Sequence, residues 1–135
     1  MASKLRESLD TNIILRFILG DVPEQCLKIQ DLLMRQNVMY DVADLVITEA
    51  VYVMQSTYGL SREKIVDGLQ KLLWFPEINY NRNLFDQVFP MYLEHPKLSF
   101  NDCCLVVYAN LNEAEPLWTF DRALVKRVPG AKLLA

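Results

Sequence analysis

The chain has 135 residues and a mass of 15.7 kDa, with 52% hydrophobic and 23% charged residues. That is enough apolar material for one ordinary domain with its own core, and it excludes both a two-domain enzyme and a disordered tail. The net charge of −3 argues against a protein that coats nucleic acid through its overall field.

Residues 1–135 are expected to fold as a single domain, because no low-complexity tract, repeat or Gly/Ser/Pro-rich linker interrupts the periodic segments. Leu5 to Asp10 reads as a short, unusually polar strand, and Asn12 is placed to cap a helix from Ile13 to Leu19 that Gly20 ends. Pro23 suits a first helical turn, and Cys26, Ile29, Leu32 and Leu33 recur at helical spacing. Val38 to Val42 follows as a second strand, and this βαβ order favours a parallel sheet covered by helices.

Ala43 to Tyr58 is the most apolar helix, with Leu45, Val46, Ile47, Ala50, Val51, Val53 and Met54 spread around the cylinder, so it is expected to be buried on most sides. Ser61 opens a helix to about Trp74, and a second runs from about Arg82 towards Leu93, broken by Pro90 or ending near it. The aromatic content of residues 74–92 exceeds what two short amphipathic helices need, which leaves some for a dimer or partner interface. Ser99-Phe100-Asn101-Asp102 has the spacing of a capping box before a helix through Asn110. Leu117 to Phe120 reads as a strand, Asp121 caps a short helix to Arg127, and Ala131 to Leu134 is a last strand. The expected class is α/β, a three-layer α/β/α sandwich around a central, mostly parallel sheet.

Glu49 is the only charged side chain between Leu45 and Met54, and in a helix buried on most sides it demands a cationic partner, a proton or a metal ion. Asp10, Asp102 and Asp121 fall at strand ends and helix starts, where open α/β sheets gather their ligands. Singly, each is explained as a turn or capping residue. As a set of four they would repel one another unless cations were bound, and oxygen donors without His or Cys suit Mg²⁺ or Mn²⁺. Such a site would polarise a phosphoryl oxygen and make a water acidic enough to attack phosphorus.

Four motif pieces in order carry a resemblance across nearly the whole chain. They are Leu9-Asp10-Thr11-Asn12; Val46-Ile47-Thr48-Glu49 with Val53-Met54, Tyr58 and Leu60-Ser61; Ser99-Phe100-Asn101-Asp102; and Leu117-Trp118-Thr119-Phe120-Asp121. With these pieces the chain resembles a PIN domain, and among PIN domains the small stand-alone ribonuclease toxins of the VapC type. The resemblance implies that Asp10, Glu49, Asp102 and Asp121 are the metal-binding catalytic acids, with Asn12 and Thr119 supporting them. It implies magnesium-dependent cleavage of RNA phosphodiesters, held in check by a partner antitoxin.

Residues 121–135 carry Arg122, Lys126, Arg127 and Lys132 against Asp121 alone, a net +3 that leaves −6 for residues 1–120. Arg122, Lys126 and Arg127 are therefore candidates to meet RNA phosphates. The carboxylates, which see only phosphate, do not separate RNA from DNA. The chain is expected to form a homodimer, and the rival expectation for its function is a catalytically silent PIN-like interaction module. A receiver-like phosphoacceptor is disfavoured because Asp10 lacks an acidic neighbour and the Leu117 to Phe120 strand ends in Asp121 rather than Lys. The lone His95 precedes Pro96 in a turn, and no Gly-x-Ser-x-Gly elbow or phosphate-cradling glycine loop is present. Cys26, Cys103 and Cys104 have no metal-ligand spacing and are expected to be buried thiols. No stretch approaches the roughly 20 apolar residues of a membrane span, and Met1 to Asp10 carries charges where a signal peptide is apolar, so the expected location is the cytoplasm.

Overall fold

Residues 4–135 are described by a computed structural model, and they divide into two units, one ending at Tyr80 and one spanning Asn81–Ala135. The first contains β1 (Leu5–Ser8), α1 (Thr11–Leu19), α2 (Pro23–Leu33), β2 (Val38–Asp41), α3 (Asp44–Ser56), α4 (Arg62–Leu73) and β3 (Ile78–Asn79). Its strands pair in the order β1-β2-β3, both pairings parallel, with Ser8 opposite Asp41 and Asp41 opposite Asn79. Helical crossovers between successive strands make parallel pairing the natural outcome. The carboxyl ends of all three strands therefore finish at one edge, and β1 ends two residues before Asp10.

Asp10 caps α1 with extended backbone (φ −91°, ψ 175°) and accepts from the backbone N–H of Ile13, so the cap falls two residues earlier than the Asn12 expected from sequence. Gly20 closes α1 with φ 62°, a left-handed conformation that glycine adopts without a Cβ clash. Pro23 stands in the first turn of α2, which buries Ile29 and Leu33. In β2 the alternate residues Val38 and Tyr40 are buried, the period expected of a strand with one face to a core.

The expectation for α3 is corrected. It buries only Ile47, Ala50, Val51 and Met54, one helical stripe, while Leu45 is 75% and Tyr52 70% exposed. Apolar residues around the cylinder mark a candidate for burial, but solvent tolerates single exposed Leu and Tyr side chains. β3 has no counterpart among the elements expected from sequence, because its two residues give no periodicity to detect.

The second unit contains α5 (Arg82–Glu94), α6 (Phe100–Leu111), β4 (Leu117–Thr119), α7 (Arg122–Arg127) and β5 (Ala131–Leu133). Pro90 stands inside α5, which continues to Glu94. Phe85, Phe89 and Tyr92 of α5 gather around Phe100 of α6, with ring centroids 6.1, 6.2 and 5.1 Å from it. Much of the aromatic excess is thus core, although Trp74 at the end of α4 is 71% exposed. β4 and β5 pair in parallel, Trp118 opposite Lys132 and Thr119 opposite Leu133.

Cys103 is buried, but Cys26 and Cys104 are half-buried, because their positions on α2 and α6 lie at the margins of the apolar stripes; none of the three forms a disulfide. Among the described residues no helix is long and apolar enough to cross a membrane.

Candidate functional site

In the first unit, Asp10 and Glu49 are linked through Thr11. The chain turns from β1 into α1 at Asp10, and this places Thr11 in the first helical turn facing α3, where its hydroxyl donates to Glu49 Oε2 at 3.1 Å. Glu49 is exposed, not buried, so the expected need for a compensating cation or proton falls away. Asn12 lies exposed on the same turn of α1.

Beside Asp10 and Asn12 a cavity of about 480 Å³ runs between α1 and α2, lined also by Arg16, Lys28, Ile29 and Leu32. The Arg16 guanidinium is engaged by Asp21 at 2.7 and 2.8 Å and donates to the Tyr58 hydroxyl at 3.1 Å. The hydrogen bond to Tyr58, more than the charge of Asp21, raises its already high pKa.

Sequence reasoning missed Asp41, at the carboxyl end of β2. Its carboxylate takes an ion pair from Arg6 and a hydrogen bond from Asn79 Nδ2 at 3.1 Å, tying the ends of the three strands together. The Arg6 bond first, and the Asn79 bond second, hold this carboxyl below its usual range. The only available signal was an acid ending an alternating strand, which also fits a turn residue.

In the second unit, Ser99 and Asp102 complete a reciprocal capping box at the start of α6. Ser99 Oγ accepts from Asp102 N–H at 3.0 Å, and Asp102 Oδ2 accepts from Ser99 N–H at 3.3 Å. Asp121 caps α7, its Oδ1 accepting from the N–H groups of Ala123 and Leu124 at 2.9 and 3.3 Å. The Thr119 hydroxyl accepts from the Asp121 N–H at 2.9 Å, fixing the bend between β4 and α7. Arg122, Lys126 and Arg127 are exposed on α7 and line a cavity of about 580 Å³ with Val125 and Leu133; Arg127 also donates to the Ala123 carbonyl at 3.1 Å.

One pattern unites the four acids. Each carboxylate is oriented through one oxygen by Ile13, Thr11, Ser99, or Ala123 with Leu124. Among the described residues, the other oxygen of each accepts no hydrogen bond and joins no ion pair. Such pre-oriented, all-oxygen donors fit a hard divalent cation such as Mg²⁺ or Mn²⁺. Within either unit, however, no three His, Cys, Asp or Glu side chains of the described residues stand close enough to share one ion.

A strand-end Asp leading into a helix, an acid on α3, a capping-box Asp and a Thr-x-Asp turn define a recognisable class of protein. The sequence profile of the PIN domain matches residues 8–130, and the chain belongs to the PIN domain family. PIN domains are generally nucleases and typically use divalent metal ions. The chain also aligns with the crystal structure of VapBC2 from Rickettsia felis bound to a DNA fragment from their promoter. That alignment has 19% identity, covers 96% of this chain and 98% of that one, and gives a TM-score of 0.42. No curated protein matches the chain.

Proposed function

We propose that residues 1–135 form a single PIN domain acting as a divalent-metal-dependent endoribonuclease, the toxin of a toxin–antitoxin pair. It would work in the cytoplasm as a homodimer, with Mg²⁺ or Mn²⁺ as cofactor, RNA as substrate and an antitoxin protein as its restraint. The observation that carries this reading is the state of Asp10, Glu49, Asp102 and Asp121, each held by a hydrogen bond at one oxygen and left open at the other. The toxin assignment rests on the ordered motif pieces, and the nuclease class on family membership.

Asp10, Glu49, Asp102 and Asp121 would hold the cation. Once bound, it would supply positive charge that polarises a phosphoryl oxygen and acidifies an attacking water. Hydrogen bonds from Ile13, Thr11, Ser99 and Ala123 fix the carboxylates beforehand, so little reorganisation accompanies binding. Asn12, exposed beside Asp10, offers a side-chain oxygen or a water contact, and Thr119 holds the backbone at Asp121. Arg122, Lys126 and Arg127 would grip the phosphates flanking the scissile bond, setting position without reading sequence.

The test is cleavage of end-labelled structured RNA by the purified protein in Mg²⁺ or Mn²⁺, against EDTA and an Asp102→Asn variant that still accepts from the Ser99 N–H. Metal-dependent cleavage that falls about a hundredfold or more in the variant is expected. Cleavage that persists in EDTA, or in the variant at full rate, contradicts the reading. A second reading, the silent interaction module, draws on the helix-capping work of Asp10, Asp102 and Asp121. It predicts no cleavage and no effect of metal on the wild-type melting temperature.

A further inference from the structure

We propose that the junction where the β4–β5 ribbon turns into α7 is a stacking platform for unpaired nucleobases, built from Trp118 and Phe120 with Lys132 bracing the indole. The proposal rests on the reading of the chain as a ribonuclease and narrows its substrate to RNA with an unpaired segment at the cleavage point.

Exposure alternates along this segment. Leu117 and Thr119 are half-buried, whereas Trp118 is 54% and Phe120 77% exposed. Trp118 lies in β4 and Phe120 at the bend that follows it, so the two exposed rings stand within two residues of each other where the ribbon turns into α7. Phe85, Phe89, Tyr92 and Phe100 of this unit are buried, whereas Tyr108 on α6 is exposed like Trp118 and Phe120. Lys132, the register partner of Trp118, places Nζ 5.4 Å from the indole centroid, a cation–π contact that restrains the ring and leaves part of its surface to solvent.

Charge selects the occupant. The ribbon is continuous with α7, and residues 121–135 carry Arg122, Lys126, Arg127 and Lys132 against Asp121 alone. A second copy docking the same face would bring two such basic segments together, which costs free energy. A polyanion is attracted instead. Duplex bases are hidden in their own stack, so only unpaired bases can lie on an aromatic face, while α7 cations hold their phosphates. Phe120 directly precedes Asp121, which sets the platform next to one of the proposed catalytic acids.

The measurement is fluorescence titration of the full chain carrying Trp74→Phe, which leaves Trp118 as the only tryptophan. Titration in EDTA with an unstructured oligouridylate, and with an RNA duplex of equal length, reads affinity without turnover. Saturable quenching by the single strand and little by the duplex is expected. Phe120→Ala should weaken single-strand binding roughly 5- to 100-fold, and Phe120→Trp should restore it. Because Phe120 is exposed, circular dichroism of Phe120→Ala should match the parent. Absent quenching, equal quenching by the duplex, or unchanged affinity in Phe120→Ala overturns the platform. So does a loss of self-association in that variant with RNA affinity intact, which would make the face a protein interface. Quenching in EDTA without cleavage in Mg²⁺ would keep the platform and refute the ribonuclease, whereas cleavage without quenching would refute the platform alone.

Discussion

The hydrogen bonds at the four acids explain why single residues were ambiguous in the sequence. Capping a helix needs only one carboxylate oxygen, so Asp10, Asp102 and Asp121 serve an N-terminus and still present a second oxygen. Capping and metal binding call for the same residue type at the same place, and only the pattern across four positions separates them. Asp41 shows the reverse case, an acid that is wholly structural in its contacts and was not singled out. Its folded pKa lies below the unfolded value because of Arg6 and then Asn79, so its stabilising effect is present above the unfolded pKa of about 4 and is lost as pH falls through the depressed folded value. Asp41→Asn should therefore lower the melting temperature at pH 7, by the equivalent of no more than about 1 kcal/mol for so accessible a pair. The gap from wild type should narrow as pH drops below about 4. Melting curves at pH 7 and pH 3 check this, and an equal gap at both would contradict it.

At the scale of elements, the signals that were legible are those with a local physical cause. Ser61, Ser99 and Asp121 mark helix starts in the sequence, and each accepts from a backbone N–H two or three residues on. Parallel pairing was legible because helices separate the strands. What escaped was set by tertiary context: β3 is too short for a period, and the exposed side of α3 cannot be told from its buried side when both carry apolar residues. Gly68 in α4 is a further instance. An added Cβ would lie 2.5 Å from Ile18 Cγ2, so the glycine permits α1 and α4 to approach closely. Gly68→Ala should lower stability by about 1 kcal/mol, the clash outweighing the gain in helix propensity. Thermal melting decides; a raised melting temperature, the usual result in an open helix, would contradict this packing.

For the whole molecule, four motif pieces in order carry the resemblance to the PIN domain family, and the profile match over residues 8–130 shows the membership. What sequence could not supply is the distance between acids far apart in the chain. Asp10 and Glu49 meet through Thr11, while Asp102 and Asp121 belong to the second unit. The central claim is that these carboxylates hold a divalent cation, and binding to the folded state alone must then raise stability by mass action. The most direct measurement is the melting temperature of wild type, Glu49→Gln and Asp121→Asn in Mn²⁺ or Mg²⁺ and in EDTA. Gln can still accept from Thr11, and Asn can still cap α7, so both variants should melt near wild type in EDTA. At a metal concentration about 100 times the dissociation constant, the wild type should gain about 2.7 kcal/mol, a rise of several degrees, and each variant should lose most of it. A wild-type melting temperature that is the same in metal and in EDTA would contradict the claim.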